Sequence, residues 1–139
     1  MTVHTIVDTG PLVAFFNETD SHHDWASEQF ARLAPPLLTC EAVLGETCFL
    51  LSRGGIDPVN AVQAVARAAL RLDFSVGAEI EPVRRLMTRY KDADVSLADA
   101  CLVRMSELYP RCQVLTIDRD FMVYRRDGRR TIPLIAPFG

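Results

Sequence analysis

A chain of 139 residues with 49% hydrophobic content is the size of one ordinary domain and too apolar to be disordered. The formal net charge of −3 excludes a global field that would draw it to nucleic acid or anionic lipid, so any RNA contact must rest on a local patch. Cys40, Cys48, Cys101 and Cys112 form no CxxC pair and have no zinc-type spacing with histidine, which leaves them as small core residues or free thiols of a reducing compartment.

In chain order, Val3–Val7 reads as a buried strand closed by Asp8-Thr9-Gly10-Pro11, with Pro11 opening a helix through Phe16. Ser21 is expected to cap a helix running to Leu33, with Trp25, Phe30 and Leu33 on its apolar face and Pro35-Pro36 as its stop. Leu37-Leu38 is a brief strand. Thr39 then caps a strongly apolar helix, 40–52, which Gly54-Gly55 ends. Asp57-Pro58 opens a helix predicted over 59–72, rich in alanine and valine. Phe74–Val76 is a candidate short strand, followed by a helix from Ile80 to Tyr90 and a loop to Val95. Ser96 caps the helix 97–108. Val114–Ile117 is a β-branched strand that again ends in an acid, Asp118, and Thr131–Ile135 is the last strand. Strands separated by helices predict an α/β fold with a parallel sheet and helices on both faces.

In such sheets ligands bind beyond the carboxyl ends of the strands, where strand order reverses. Asp8 and Asp118 follow the two clearest strands. Either one alone could be a turn former or helix cap. Glu46 and Asp99 add weight. Ala42, Val43, Phe49 and Leu50 lie three and four positions from Glu46, and Asp99 sits within Leu97-Ala98-Asp99-Ala100-Cys101-Leu102. A carboxylate on an apolar helix face is costly unless it pairs with an arginine, binds a metal or reaches water at the edge of the stripe. Three or four carboxylates with no histidine or cysteine partner suit hard cations such as Mg2+ or Mn2+, and with them phosphodiester or phosphomonoester hydrolysis. No P-loop, GxSxG, GxGxxG or HExxH motif competes with that reading.

Four stretches carry a more specific likeness. Thr5-Ile6-Val7-Asp8-Thr9-Gly10-Pro11-Leu12 resembles the opening strand and first acid of PIN-domain proteins. Val43-Leu44-Gly45-Glu46 is similar to the second acid motif, Ser96-Leu97-Ala98-Asp99-Ala100 to the third, and Leu115-Thr116-Ile117-Asp118-Arg119-Asp120-Phe121 to the closing strand with the fourth. They stand in the family's order and spacing, and the similarity runs from about Val3 to Phe138. The resemblance implies a three-layer α/β/α sandwich over 1–139, with a central parallel sheet of four to five strands in which the first strand neighbours the Thr116 strand. It also implies Mg2+- or Mn2+-dependent endoribonuclease activity at Asp8, Glu46, Asp99 and Asp118. The chain resembles VapC-type toxins, often the toxin half of a VapBC toxin–antitoxin pair, which implies a small antitoxin protein, an RNA substrate and a homodimer as the expected partners. Asp92 matches a further acid often found before the third motif.

Several residues are weaker candidates. Asp120 could assist a metal or cap the segment after it, and Thr116, two residues before Asp118, points to the same side of its strand. Arg119, Arg125 and Arg126 could form a phosphate-contacting rim or a solvated face. The His22-His23 pair reads as an exposed turn. Apolar surface around Phe15, Phe16, Trp25 and Phe30 could receive a partner helix, although Phe15 and Phe30 read more readily as core than Trp25 does. No stretch approaches a membrane span and the first residues do not form a signal peptide, so a cytoplasmic protein is expected. The rival readings are a non-catalytic PIN-like binding module and a phosphoryl-transfer domain. Gly10, where a second acid would be needed, disfavours the latter.

Overall fold

The computed structural model describes residues 2–138. Among these residues seven strands form: β1 (His4–Val7), β2 (Leu37–Thr39), β3 (Leu70–Leu72), β4 (Cys112–Leu115), β5 (Arg125–Arg126), β6 (Arg130–Thr131) and β7 (Leu134–Ile135). The helices are α1 (Thr9–Phe16), α2 (His23–Arg32), α3 (Glu41–Arg53), α4 (Val59–Ala66), α5 (Ile80–Arg89) and α6 (Leu97–Leu108). Five strands make one sheet in the order β3-β2-β1-β4-β7, parallel throughout, while β5 and β6 form a separate antiparallel hairpin. This is the α/β/α sandwich that the alternation of strands and helices predicts, with five strands.

The chain runs outward from β1 to β2 to β3, then crosses back to β4 on the other side of β1. Right-handed crossovers therefore place α1–α4 on one face and α5–α6 on the other. α1 lies against α2, α3 and α4, and α5 against α6, while α3 and α6 also meet. β1 and β4 are short apolar runs because both of their faces are covered. Ile6, Val7, Val114 and Leu115 have no exposed surface. In register, Val7 lies beside Leu115, so the residues that follow each strand emerge together at the carboxyl edge where the order reverses. All four cysteines are free thiols, and Cys40, Cys101 and Cys112 are buried in the core. Among the described residues no helix is long and apolar enough to cross a membrane.

The structure departs from the sequence expectations at several boundaries, each for a local reason. The helix expected over 59–72 stops at Ala66. Ala68 takes a left-handed conformation (φ 62°), and Leu70–Leu72 turns back to pair with Leu37–Thr39 as the edge strand β3. Pairing with a buried neighbour there overrides the helix propensity of an alanine-rich run. No strand forms at Phe74–Val76, which leads into α5. α1 starts at Thr9 rather than Pro11 because the Asp8 side chain caps it. Pro11 is tolerated as the third residue, since first-turn N–H groups have no intrahelical acceptor. Ser21 does not cap α2; its N-cap is His22, without a side-chain bond. Thr39 belongs to β2, where its hydroxyl donates to the Val7 carbonyl at 2.8 Å, and Cys40 takes the cap position of α3. The last strand is divided: Thr131 pairs with Arg125, and only Leu134–Ile135 reaches β4, beyond Pro133. Ser96 caps α6 as expected, its hydroxyl accepting from the Asp99 N–H at 3.0 Å.

Candidate active site

At the carboxyl edge, between the ends of β1 and β4, lies a cavity of about 310 Å3. Asp8, Asp20, Glu46, Asp99 and Asp118 line it together with Thr9, Gly10, Val13, Leu50 and Ile117. Four separate parts of the sequence thus bring Asp8, Glu46, Asp99 and Asp118 to one hollow, and no lysine, arginine or histidine shares it.

Each acid arrives by a different local device. Asp8 follows β1 and caps α1. It is only 5% exposed, with Oδ1 accepting from the Thr9 N–H at 2.8 Å and Oδ2 from the Thr116 hydroxyl at 2.7 Å. Burial pushes its carboxyl up from 3.8 to about 7. The hydrogen bonds from Thr116 and Thr9 pull the other way, and the charges of Asp99 and Asp118 add to the rise. Thr116, fully buried just past β4, also accepts from the Asp118 N–H at 2.9 Å. One hydroxyl therefore ties the first acid to the fourth, and the weaker candidate Thr116 bonds Asp8 directly. Asp118 caps the 3-10 turn Arg119–Met122, its Oδ1 accepting from the Asp120 N–H at 2.8 Å.

Asp99 stands in the first turn of α6 and is half-buried. Its Oδ2 accepts from the Tyr124 hydroxyl at 2.9 Å. Burial raises its carboxyl above the usual range, as does Asp118, against the hydrogen bonds from Tyr124 and Ser96. Glu46, by contrast, is exposed at the rim. Of its apolar neighbours Val43 is buried but Phe49 is 62% exposed, so Glu46 sits at the edge of the stripe and reaches water. Desolvation still raises its carboxyl, followed by the charges of Asp99 and Asp118.

The donor set is all oxygen and carries uncompensated negative charge, which fits a hard divalent cation. The Thr9 hydroxyl, buried and lining the cavity, has no hydrogen-bond partner among the described residues, which is consistent with a polar ligand there. Among the described residues, however, no three acid, histidine or cysteine side chains stand as a ready coordination cage. One or both oxygens of Asp8, Asp99 and Asp118 accept from protein donors, which fixes each carboxylate and leaves further lone pairs for an ion.

The remaining candidates lie outside the hollow. Asp92 is exposed on the turn Lys91–Ala93. Asp120 is exposed beside Asp118, and its carboxyl is raised by partial desolvation and then by the charges of Asp118 and Asp94. Arg119 is exposed, its guanidinium 4.7 Å from the centre of the Phe138 ring.

Arg126 does not face solvent as a phosphate-contacting residue would. It is 5% exposed and donates to the carbonyls of Ser106, Tyr109 and Pro110 at the end of α6. Arg125 is half-buried, and its Nη1 donates to the carbonyls of Met122, Val123 and Tyr124. Both guanidiniums are turned to backbone carbonyls, although the buried Arg126 Nε finds no partner among the described residues. His23 is bonded to the Ala14 carbonyl at 2.8 Å, remote from any metal role. Phe30 packs against the core as expected, and Trp25 does so too, whereas Phe15, expected in the core, is 39% exposed.

Sequence reasoning missed Asp20 and Tyr124. Asp20 lies in the α1–α2 loop, where its Oδ1 accepts from the His22 N–H at 2.8 Å, and no periodicity marks it. Tyr124 could have been suspected only as an aromatic next to the arginine run.

An acid-lined, cation-free hollow at the switch point of a parallel α/β sandwich defines a class of carboxylate-centred α/β domains. Within that class the PIN domain family model matches residues 5–126, and the chain belongs to this family. It is 34% identical over 116 residues to Ribonuclease VapC26 of Mycobacterium tuberculosis, covering 82% of this chain and 86% of that relative. Its structure is similar to the crystal structure of Mycobacterium tuberculosis VapC20, a sarcin–ricin-loop-cleaving toxin, with a TM-score of 0.78 over 93% of this chain and 99% of that one. At 24% identity this second likeness carries the fold alone.

Proposed function

We propose that the chain is a Mg2+- or Mn2+-dependent endoribonuclease, acting as one unit over 1–139 and serving as the toxin of a VapBC-type pair in the cytoplasm. The observation that carries this is the hollow itself, in which five carboxylates meet without a basic side chain. The ribonuclease name of the 34% identical relative supports the reaction class.

When bound, a divalent ion supplies positive charge to phosphate and acidifies water. The chain's own residues perform the remaining tasks. Asp8, Asp99 and Asp118 hold the ion, their carboxylates presented by Thr116, Tyr124 and the Asp120 N–H. Glu46, exposed and with a raised affinity for protons, is placed to take the proton of the attacking water. Arg119 is the exposed cation beside Asp118 that would meet the RNA backbone.

An apolar groove of about 210 Å3, lined by Leu12, Phe15, Phe16, Phe30, Leu33 and Leu37, suits the amphipathic helix of a small antitoxin. An arginine from that partner would neutralise the acids by bidentate pairing. Exposed Phe49, Val59 and Val62 on α3 and α4 offer apolar surface to a second copy of the chain.

The test is cleavage of RNA by the purified chain with Mg2+, Mn2+ or chelator, with the cut ends mapped. Metal-dependent cutting that Asp8→Asn abolishes is expected. Cutting that survives both chelator and Asp8→Asn would refute the proposal.

A further inference from the structure

Tyr124 has no exposed surface, yet its hydroxyl emerges at the acid cluster and donates to Asp99 Oδ2 at 2.9 Å. Its ring is gripped edge-on by two others, Phe121 at 5.1 Å (83°) and Tyr90 at 5.0 Å (62°). The Tyr90 hydroxyl in turn accepts from the Arg125 N–H at 2.9 Å, and Arg125 ties down the three preceding carbonyls. The phenol therefore has little freedom to follow the carboxylate, and the carboxylate must follow the phenol.

The next same-side residue of this extended segment is Arg126, two positions on. Its guanidinium holds the carbonyls of Ser106, in the last turn of α6, and of Tyr109, its C-cap, whereas Tyr124 holds Asp99 in the first turn. Asp99 and Ser106 are about 10 Å apart along the helix axis. A stretch of three residues thus grips both ends of the helix that presents the third acid.

We propose that Tyr124 is the positioning residue for Asp99, and that the segment 121–126 is a clasp that sets the height and orientation of this carboxylate at the metal site. The proposal rests on the metal-site reading above. A buried tyrosine needs an acceptor of some kind, and a backbone carbonyl would have served. Here the acceptor is a carboxylate oxygen of the cluster, so the bond restrains rotation about the last side-chain torsion of Asp99. Partners of this kind around metal ligands are typically worth ten- to a hundred-fold in metal affinity or activity.

The test is Mn2+ binding by calorimetry on the wild type, Tyr124→Phe, Asp99→Asn and the double variant, beside RNA cleavage. Tyr124→Phe keeps the ring and its packing, so it should unfold cooperatively near the wild-type temperature while binding Mn2+ about ten-fold more weakly or worse. The double variant should bind no worse than Asp99→Asn alone. Wild-type Mn2+ affinity in Tyr124→Phe, or losses that simply add in the double variant, would overturn the proposal. Should Tyr124→Phe fail to fold, the wild type still decides. Saturating Mn2+ should perturb tyrosine absorbance in the wild type and not in Asp99→Asn, and an unperturbed wild-type spectrum counts against the clasp. Equal Mn2+ binding by the wild type and Asp8→Asn would instead bring down the metal site itself, an outcome distinct from loss in Asp8→Asn with retention in Tyr124→Phe.

Discussion

Asp8→Asn separates what the acid costs the fold from what it contributes to chemistry. In the folded protein Asp8 is nearly fully buried, and its carboxyl is pushed from 3.8 to about 7 chiefly by desolvation. At 1.4 kcal/mol per unit, that displacement corresponds to about 4 kcal/mol. The folded chain retains a proton that the unfolded chain releases between pH 3.8 and about 7. The stability that Asp8 contributes is therefore full below about pH 4 and is lost as the pH rises through 7. Asparagine imitates the protonated acid. Its Oδ1 still accepts from the Thr9 N–H, and its Nδ2 takes the place of Oδ2 and donates to the Thr116 hydroxyl, which must turn its own proton away. In chelator near pH 8 the variant should be more stable than wild type by up to about 4 kcal/mol, and the gap should close toward about pH 4. Urea unfolding at several pH values in EDTA measures this. Excess Mn2+ should narrow or reverse the gap near pH 8, since a ligand at a hundred times its Kd adds about 2.7 kcal/mol to the protein that binds it. A variant less stable than wild type in EDTA near pH 8, or a gap that does not change with pH, would refute the assignment of a desolvated, ionised Asp8.

Arg126→Ala should lower stability by about 2–4 kcal/mol in urea, because three carbonyls at the end of α6 lose their donor in a buried place. Arg119→Ala should leave stability within about 0.5 kcal/mol and reduce the salt slope of RNA binding by about one, as expected for one exposed phosphate contact. An added Cβ at Gly10 would stand 2.5 Å from Ile117 Cγ1, so Gly10→Ala should destabilise by about 1–3 kcal/mol. Adding Ile117→Ala, which removes the clashing atoms, should make the pair of changes cost less than their sum, as a double-mutant cycle of melting temperatures would show.

Much of the fold was legible because its signals are short-range. β-branched runs marked β1 and β4, Ser96 marked α6, and the alternation of elements marked a parallel sheet. What failed was decided at long range. Nothing in the run 59–72 announces that Leu70–Leu72 will leave its helix, because the reason lies in β2, thirty residues away. Charge alone misled on the arginines for a related cause. Arg125 and Arg126 look like a basic rim until the structure reveals the carbonyls that consume them, and a carbonyl leaves no mark in a sequence.

The acids posed the opposite difficulty, since helix cap and metal ligand were weighed against each other for Asp8 and Asp118. The structure shows the cap in both cases. Asp8 caps α1, Asp118 caps the turn at Arg119–Met122, and Asp99 lies in the first turn of α6 after Ser96. Each is at the N-terminal end of a helical segment, where exposed N–H groups and the aligned peptide dipoles favour negative charge. These helix starts therefore offset part, though not all, of the cost of bringing three carboxylates together in a partly buried place. Glu46 lies mid-helix on α3 and has no such support, and it is the one acid of the four left exposed at the rim. The same division suits a nuclease. In the proposed reaction Asp8, Asp118 and the Tyr124-held Asp99 would take the ion, while the unsupported Glu46 has the solvent access that proton transfer requires.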